Sequence, residues 1–329
     1  MKKVNLVNIN EIDITEIEGV KIGHAQNYDA ATGCTVFLCE DGAPAGLDVR
    51  GGGPASRESN LLDPLMNADV IHAVLLSGGS AFGLDAAGGV MKYLEEKGIG
   101  VDTGFAKVPL VCQSCIFDLG VGAVDIRPDK DMAYEACKNA EVGNYQDGNH
   151  GAGTGATVGK ILGMKQAMKA GIGSYAVQIG ELKIGAVAVV NALGDVYDWR
   201  TGEAIAGVTD EEGNNILSTE DIFINMSRIQ MNNHTGNTTL GVVLTNAKFS
   251  KADLCKIAGM AHDGMARAIR PVHTSFDGDS IYALSLGNIM ANRDAVGVIG
   301  ARVMEEAIVK AVKNSEGGYG LPGYQDLNK

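Results

Sequence analysis

The sequence predicts an α+β protein in which helices cover β-sheet, and three stretches support this class. A buried strand, a glycine turn and a helix follow one another over residues 69–96. Two apolar runs separated by a short turn predict a hairpin over 172–179 and 183–191. Beyond residue 250, two long helical segments alternate with strands. The 329 residues, 45% of them apolar, allow one large domain or two with a sizeable core.

The first half of the chain contains one segment with a clear order of elements. Residues 69–77 are mostly apolar and predict a fully buried strand, which two glycines then end. Ser80 is the expected N-cap of a helix over 80–96, because a serine hydroxyl can accept a bond from a free amide of the first turn. The other predicted elements are short strands over 14–24 and 34–39, a turn at 51–54, a short helix over 55–66, an apolar segment over 109–119 and a helix over 129–140.

The second half is expected to be more regular. Ser250 should cap a helix that continues to about residue 269. The run 238–245 is rich in β-branched and apolar residues, with little alternation between polar and apolar positions. It predicts a buried strand. The remaining predictions are a glycine-dense loop at 148–160, a surface loop or short helix over 210–235, a strand over 280–287 and a last helix over 288–313.

Composition excludes several functional classes. The formal net charge of −13 disfavours nucleic acid and anionic membranes as partners. The N-terminus lacks the apolar region of a signal peptide, and the sequence has no apolar run long enough to span a membrane, so a cytoplasmic location is expected. Cys112 and Cys115 have CxxC spacing, but no second pair accompanies them, and we expect neither a metal nor a cofactor.

The junction between Asn237 and Thr238 carries the chemical hypothesis. A polar, Asn-rich stretch from 230 to 237 is expected to be a loop, and Thr238 is the first residue of the predicted core strand. If the bond before Thr238 breaks, its hydroxyl becomes a nucleophile and its own α-amine the adjacent base. The reference pKa of an α-amine is about 8, so it accepts a proton near neutral pH. The alternative interpretation is an ordinary strand start, since Asn-Thr-Thr is a common sequence.

Other polar residues could assist such a nucleophile. Asp277 and Asp279 flank a glycine just before a predicted strand, where they form either a solvated turn or a pair that orients the amine. Asn191 ends a buried strand and is either a structural amide or a donor to an oxyanion. Lys160 is by default a surface cation, although near a nucleophile it would lower a pKa.

Two glycine-rich motifs do not predict a function. The segment 78–83, GGSAFG, misses the serine-hydrolase pattern G-x-S-x-G because Phe82 stands where glycine is needed. The segment 151–156, GAGTGA, matches the dinucleotide-binding pattern but follows no predicted strand. Its backbone amides could still bind an anion or a carbonyl oxygen.

Ordered blocks along nearly the whole chain resemble the self-processing L-aminopeptidase/D-esterase family, which includes β-peptidyl aminopeptidases and nylon-oligomer hydrolases. The blocks are GVKIGH, GCTVFL, GGGPASRE, LSGGSAFGLDAAGGVMKYL, IFDL, GAGTGATVGK, VVNALGDV, NTTLGVVLTNA and DGDSIYAL. The resemblance implies a four-layer αββα sandwich of the N-terminal-nucleophile hydrolase type, with a topology like that of ornithine acetyltransferase. It also implies a single domain over 1–329 and a tetramer of cleaved protomers.

The resemblance also implies a role for each candidate residue. Family members cleave themselves before a serine or threonine, which corresponds to Thr238 and gives chains 1–237 and 238–329. Asn191 corresponds to the oxyanion-stabilising asparagine, and Asp277 and Asp279 to two acids of some relatives. Lys160 corresponds to a lysine of the nylon-oligomer branch, which has a tyrosine where this chain has Phe117, so the substrate preference of that branch does not transfer.

The expected activity is therefore an aminopeptidase or amidase acting on small peptides, amides or esters through an acyl-enzyme, without a cofactor. Two alternatives remain open. One is an acyltransferase of the ornithine acetyltransferase type, which differs only in whether an amine or water takes the acyl group. The other is a non-catalytic protein of the same fold that binds a small molecule.

Overall fold

A computed structural model describes the fold over residues 8–228 and 236–327. The strands are β1 (Asn10–Ile12), β2 (Lys21–Asn27), β3 (Thr32–Ala43), β4 (Ala45–Val49), β5 (Ala55–Arg57), β6 (Ile71–Ser77), β7 (Val101–Asp102), β8 (Lys107–Val108), β9 (Val111–Cys115), β10 (Thr157–Val158), β11 (Met168–Lys169), β12 (Ile172–Ile179), β13 (Leu182–Asn191), β14 (Asp195–Tyr197), β15 (Ala204–Ala206), β16 (Thr238–Ala247), β17 (Ile269–Arg270) and β18 (Ser280–Ile289). The helices are α1 (Ala87–Glu96), α2 (Lys130–Val142), α3 (Thr219–Asn225), α4 (Lys251–Ala268), α5 (Arg293–Lys313) and α6 (Tyr324–Leu327).

Two sheets stacked face to face form the centre of the described structure. The first has the strand order β1-β12-β13-β16-β18-β4, and the second has the order β2-β3-β6-β9-β5. Helices α4 and α5 pack on the outer face of the first sheet, and α1 and α2 pack on the outer face of the second. This arrangement confirms the expected α+β class and the four-layer αββα sandwich.

Strand β16 lies inside the first sheet and faces two different cores. Its residues Leu240, Val242 and Leu244 pack into the apolar layer between the two sheets. Val243, which points to the opposite side, packs into the layer beneath the helices. Because side chains alternate along a strand, Thr238 lies on the same side as Leu240 and faces the second sheet. The nucleophile candidate therefore stands at the entrance to the inter-sheet core.

The structure confirms the predictions that rested on long apolar runs. The buried strand is β6, the hairpin is β12 and β13, and the strand after the Asn237-Thr238 junction is β16. Helix α4 begins with a capping box in which the Ser250 hydroxyl oxygen accepts from the Asp253 amide and the Asp253 carboxylate accepts from the Ser250 amide. Local pattern and tertiary packing agree in all five elements.

The prediction that Ser80 is an N-cap is wrong. Residues Ser80–Ala86 form a 3-10 helix, and the α-helix begins only at Ala87. Ser80 itself has a φ of 54°, a left-handed conformation that an N-cap residue does not adopt. The turn before the 3-10 helix is held instead by the Asp118 carboxylate, which accepts from the Gly79 amide at 2.7 Å.

Three other boundaries also differ from the sequence prediction. The predicted helix over 55–66 is strand β5 followed by a 3-10 helix at Ser59–Leu62, because residues 55–57 pair with β9 at the edge of the second sheet. The predicted strand over 14–24 begins only at Lys21, since a 3-10 helix precedes it. The last helix begins at Arg293, where the Asn292 side chain accepts from the Ala295 amide.

The stretch before the junction is only partly described. Its first part contains α3 and a 3-10 helix at Met226–Arg228, in agreement with the expected short helix. The loop predicted at 230–237 lies outside the described residues except for Gly236 and Asn237. No helix in the described ranges combines the length and the apolar character needed to cross a membrane.

The inter-sheet core generates a prediction for stability. Leu244 is fully buried there, so Leu244→Ala should lower the free energy of unfolding by about 2–5 kcal/mol through lost burial and the cavity that remains. Leu65 is 85% exposed, and Leu65→Ala should change the same quantity by less than about 0.5 kcal/mol. Urea denaturation of both variants measures the difference, and equal effects would contradict the assignment of this core.

Candidate active site

Thr238 and Asn191 are paired directly across two neighbouring strands. Strand β13 runs antiparallel to β16, and Asn191 is the cross-strand partner of Thr238. Directly opposed residues point to the same face of a sheet, so both side chains face the second sheet. Both residues are buried. The structure therefore brings together two candidates that are 47 positions apart in the sequence.

Two donors bind the carbonyl oxygen of Asn237, the residue before the candidate nucleophile. The Thr238 hydroxyl donates to this oxygen, and the Gly278 amide donates to it at 2.8 Å. The Asn237 amide in turn donates to the Phe276 carbonyl at 3.2 Å. An amide donor that points at a carbonyl oxygen stabilises the negative charge that develops there when a nucleophile adds to the carbon.

Asp277 and Asp279 lie beside this peptide bond because β18 runs parallel to β16. Asp279 Oδ1 accepts from the Thr239 amide at 2.7 Å. Asp277 Oδ2 accepts from the amide and the hydroxyl of Thr274. Burial raises the pKa of Asp277 to about 6, and the neighbouring charge of Asp279 adds to this effect. Asp277 therefore takes up a proton more readily than an exposed aspartate does.

Backbone amides of the segment 50–53 hold the loop that carries the two acids. The Gly53 amide donates to the Asp277 carbonyl at 2.8 Å, and the Gly51 amide donates to the Asp279 carbonyl at 3.2 Å. Within the loop, a Cβ added to Gly278 would lie 2.7 Å from Thr238 Oγ1. Glycine is thus required at position 278 because the backbone touches the nucleophile.

Lys160 fixes the side chain of Asn191. Its Nζ donates to Asn191 Oδ1 at 2.8 Å and to the Asn191 carbonyl at 3.1 Å, and the Thr157 amide donates to Oδ1 as well. Asn191 Nδ2 donates to the Phe117 carbonyl at 3.0 Å. Burial lowers the pKa of Lys160 to about 7, against the opposing influence of the Asp277 charge. Lys160 is therefore a buried group rather than a surface cation.

Phe117 lies on the other side of the junction. A Cβ added to Gly236 would lie 2.4 Å from ring atoms of Phe117, so this ring bounds the space next to the Asn237 carbonyl. The position at which the nylon-oligomer branch was expected to have a tyrosine therefore packs against Gly236, two residues before the candidate nucleophile, and a phenyl ring without a hydroxyl occupies it here.

Sequence reasoning missed two buried charged residues near the site. Asp118 accepts from the Thr32 hydroxyl at 2.6 Å and from the Gly79 amide at 2.7 Å, and burial raises its pKa. Lys169 donates to the carbonyls of Thr154 and Ala156, and burial lowers its pKa to about 7. Asp118 is a single charged residue within an apolar stretch, whereas Lys169 follows Lys165 and Gln166 closely and carries no such signal.

Gly278 was also missed as a hydrogen-bond donor, because a backbone amide leaves no mark in the sequence. Across residues 8–228 and 236–327, no group of three or more His, Cys, Asp or Glu side chains is arranged to hold a metal ion. The described site brings together a hydroxyl, two carboxylates, an amide side chain and a buried lysine, which are groups able to serve as nucleophile, acid and base.

Comparisons with known proteins point to one family. The model of Peptidase family S58 matches residues 12–324. An uncharacterized aminopeptidase of Mycobacterium tuberculosis is 37% identical over 347 residues, which cover 95% of this chain and 97% of that protein. A 6-aminohexanoate-oligomer endohydrolase of Paenarthrobacter ureafaciens is 30% identical over 315 residues, covering 91% of this chain and 85% of that protein.

Solved structures agree in fold. A beta-aminopeptidase of Burkholderia sp. superimposes with a TM-score of 0.68 at 19% identity, covering 99% of this chain and 95% of that chain. An L-aminopeptidase D-Ala-esterase/amidase of Ochrobactrum anthropi, described as a variant of the Ntn hydrolase fold, gives a TM-score of 0.67 at 17% identity. The latter covers 92% of this chain and 86% of its own.

The lowered pKa of Lys169 generates a prediction for stability against pH. The unfolded chain binds a proton at this lysine up to its ordinary pKa of 10.5, whereas the folded chain releases it above about 7. Between these values the unfolded state holds more protons than the folded state, so the free energy of unfolding rises with pH. The contribution of this lysine to stability is lost again as the pH falls toward 7. One such group contributes a slope of at most about 1.4 kcal/mol per pH unit.

Lys169→Met should therefore flatten the rise of the free energy of unfolding between about pH 7.5 and 9.5. Lys92 is exposed and serves as the control, since Lys92→Met should leave the slope unchanged. Urea denaturation at several pH values gives both slopes. A variant at residue 169 with the slope of the wild type would show that this lysine keeps its ordinary pKa.

Proposed function

This chain belongs to Peptidase family S58 and is a hydrolase of peptide or linear amide bonds, and we propose that it matures by cutting itself between Asn237 and Thr238. In this proposal Thr238 then serves as an N-terminal nucleophile of an aminopeptidase or amidase. The products are chains 1–237 and 238–329. The observation that carries the proposal is the pair of donors, the Thr238 hydroxyl and the Gly278 amide, on the Asn237 carbonyl oxygen.

The proposed self-cleavage has two steps. Thr238 Oγ1 adds to the Asn237 carbonyl carbon, and the Gly278 amide stabilises the oxyanion. The bond from that carbon to the Thr238 nitrogen breaks, the nitrogen takes the hydroxyl proton, and an ester between Asn237 and Thr238 remains. Water then hydrolyses the ester, which leaves a carboxylate on Asn237 and a free hydroxyl beside a free α-amine on Thr238.

The proposed catalytic cycle uses the same atoms on a substrate amide. The Thr238 α-amine takes the proton of its own hydroxyl, Oγ1 attacks the substrate carbonyl, and the amine product leaves with the proton. Asn191 is held by Lys160 and lies opposite Thr238, and it is the proposed donor to the substrate oxyanion. Asp277 and Asp279 orient the α-amine. Water then releases the acyl group from the ester.

The proposed substrates are small peptides, amides or esters. Relatives named as aminopeptidases and as 6-aminohexanoate-oligomer endohydrolases support this class. Transfer of the acyl group to an amine is the alternative, and an added amine acceptor that accelerates turnover and appears in the product would favour it. The tetramer of cleaved protomers and the cytoplasmic location remain predictions.

The nucleophile is tested by replacing its hydroxyl. Thr238→Ala should abolish cleavage, because no hydroxyl remains to attack Asn237, whereas Thr238→Ser should still cleave. Thr239→Val is the matched control, since the Thr239 side chain points to the opposite face of the same strand. Intact mass under denaturing conditions reports two chains or one. A Thr238→Ala chain cut between 237 and 238 would refute the proposal.

The contact between Gly278 and the nucleophile gives a second test. Gly278→Ala introduces a Cβ at 2.7 Å from Thr238 Oγ1 and 2.9 Å from the Gly53 carbonyl oxygen, which displaces the amide donor. Self-cleavage should slow by about 10- to 100-fold, as expected for a small misplacement of reacting groups. Gly318→Ala, which adds a Cβ in open space, is the control. Intact mass over time measures the rate of self-cleavage of both variants. Equal rates would show that the Gly278 amide does not contribute to self-cleavage.

A further inference from the structure

His273 holds the carboxylate of Asp279 with two donors. The His273 backbone amide donates to Asp279 Oδ2 at 3.1 Å, and its Nδ1 lies 2.8 Å from the same oxygen. A carboxylate oxygen only accepts, so Nδ1 carries the proton of this hydrogen bond. The other oxygen, Oδ1, accepts from the Thr239 amide. Asp279 is thus fixed between His273 and the Thr239 amide of strand β16, with 1% of its side chain exposed.

The backbone of His273 is in an unusual conformation that makes this double contact. Its φ is 57°, in the left-handed region that few residues other than glycine adopt. In this conformation the backbone amide and the ring nitrogen converge on one oxygen. Strained backbone of this kind persists where the surroundings over-determine it, and it clusters at functional sites.

His262 of α4 holds the ring of His273 from behind. The two rings are 4.7 Å apart and nearly perpendicular, at 77°. His262 Nε2 lies 3.0 Å from the Asp48 carbonyl oxygen, and burial lowers the pKa of His262 to about 4, so the ring is neutral. The ring of His262 is fully buried and packs against the ring of His273, so it restricts the rotamer of His273. Because the His262 ring is neutral, it does not draw the Nδ1 proton of His273 away from Asp279.

From this geometry we infer that His273 is a positioning residue for the reaction of Thr238, acting through Asp279. The inference rests on the proposed function, because it assigns a part of that same site. Cleavage creates the α-amine one residue before Thr239, whose amide already binds Asp279 Oδ1 at 2.7 Å. By clamping Oδ2, His273 directs Oδ1 toward the start of β16 and keeps the nucleophile and its amine in register with the attacked carbonyl.

A purely structural role makes a different prediction. If His273 only anchored the loop between β17 and β18, any loss of its ring would lower stability, and a substitute donor would restore little. If it positions Asp279, the hydrogen-bond donor matters more than the ring. Asparagine separates the two roles, because its Nδ2 occupies the place of His Nδ1 and because asparagine tolerates the left-handed conformation.

The test compares His273→Asn with His273→Gly. Glycine keeps the backbone conformation and the amide but removes the side-chain donor. Self-cleavage of each full chain is followed by intact mass after cell-free synthesis, well below the thermal midpoint of that variant. His273→Gly should slow cleavage by about 10- to 100-fold, the effect of losing a hydrogen bond to a charged group. His273→Asn should stay within about threefold of the wild type.

His24→Asn is the control for loss of a buried imidazole. Its ring binds Thr35 and the Gln146 carbonyl outside the site, so this variant should lose stability and keep the cleavage rate of the wild type. In the cleaved enzyme, His273→Gly should lower kcat with KM nearly unchanged on an amino-acid p-nitroanilide, because Asp279 acts on the amine and not on substrate binding.

The outcomes separate the two hypotheses. Two outcomes overturn the role of His273 and leave the proposed function standing. In one, the wild type and His273→Gly cleave at the same rate. In the other, His273→Asn cleaves as slowly as His273→Gly. A wild-type chain that stays whole overturns both. If His273→Gly does not fold, proton NMR of the Thr238→Ala chain decides. A strongly hydrogen-bonded imidazole N–H that disappears in Thr238→Ala/His273→Asn supports the clamp, and its absence from Thr238→Ala refutes it.

Discussion

The parallel pairing of β16 with β18 is the constraint on which the site depends. It places the loop 274–279 directly beside Asn237 and Thr238. Backbone groups just before β18 therefore bind the peptide bond at the start of β16. The contact is close enough that only glycine is accommodated at position 278. The segment 50–53 then fastens this loop through its own amides. The surroundings of Thr238 are therefore set first by how closely three backbone segments approach one another.

The polar groups at this point are buried, and their energetics follow from that burial. Lys160 and Asp277 both have pKa values shifted toward neutrality, each mainly because water is excluded from its charged form. Groups with pKa values near 7 exchange protons readily at physiological pH, which suits acid and base catalysis. Each of them is also fixed by hydrogen bonds, Lys160 to Asn191 and Asp277 to Thr274. Burial thus shifts the pKa values of Lys160 and Asp277, and the hydrogen bonds hold both side chains in place.

Sequence reasoning succeeded where one element determines its own structure and failed where contacts are distant. The hairpin of β12 and β13 and the capped start of α4 follow from local patterns, and the structure has both. The turn at Ser80 was misjudged because a carboxylate 38 positions away in the chain, that of Asp118, binds the neighbouring amide. His273 carries no local signal either, since the role proposed for it depends on a backbone angle and on a partner in the folded chain. Family resemblance supplied the candidate residues, and the geometry supplied the backbone donor.

The position of the junction explains how a cut at this point would leave the fold intact. In the first sheet, β16 lies between β13, which precedes the junction, and β18, which follows it. Strand β4, from the first part of the chain, pairs with the other edge of β18. The first part therefore contributes strands on both sides of the pair β16 and β18, and the ladder hydrogen bonds and the inter-sheet core would hold the two parts together if the peptide bond were broken. In the proposed maturation the new amine would form on a strand that both neighbours already anchor, so the nucleophile would stay aligned with its donors.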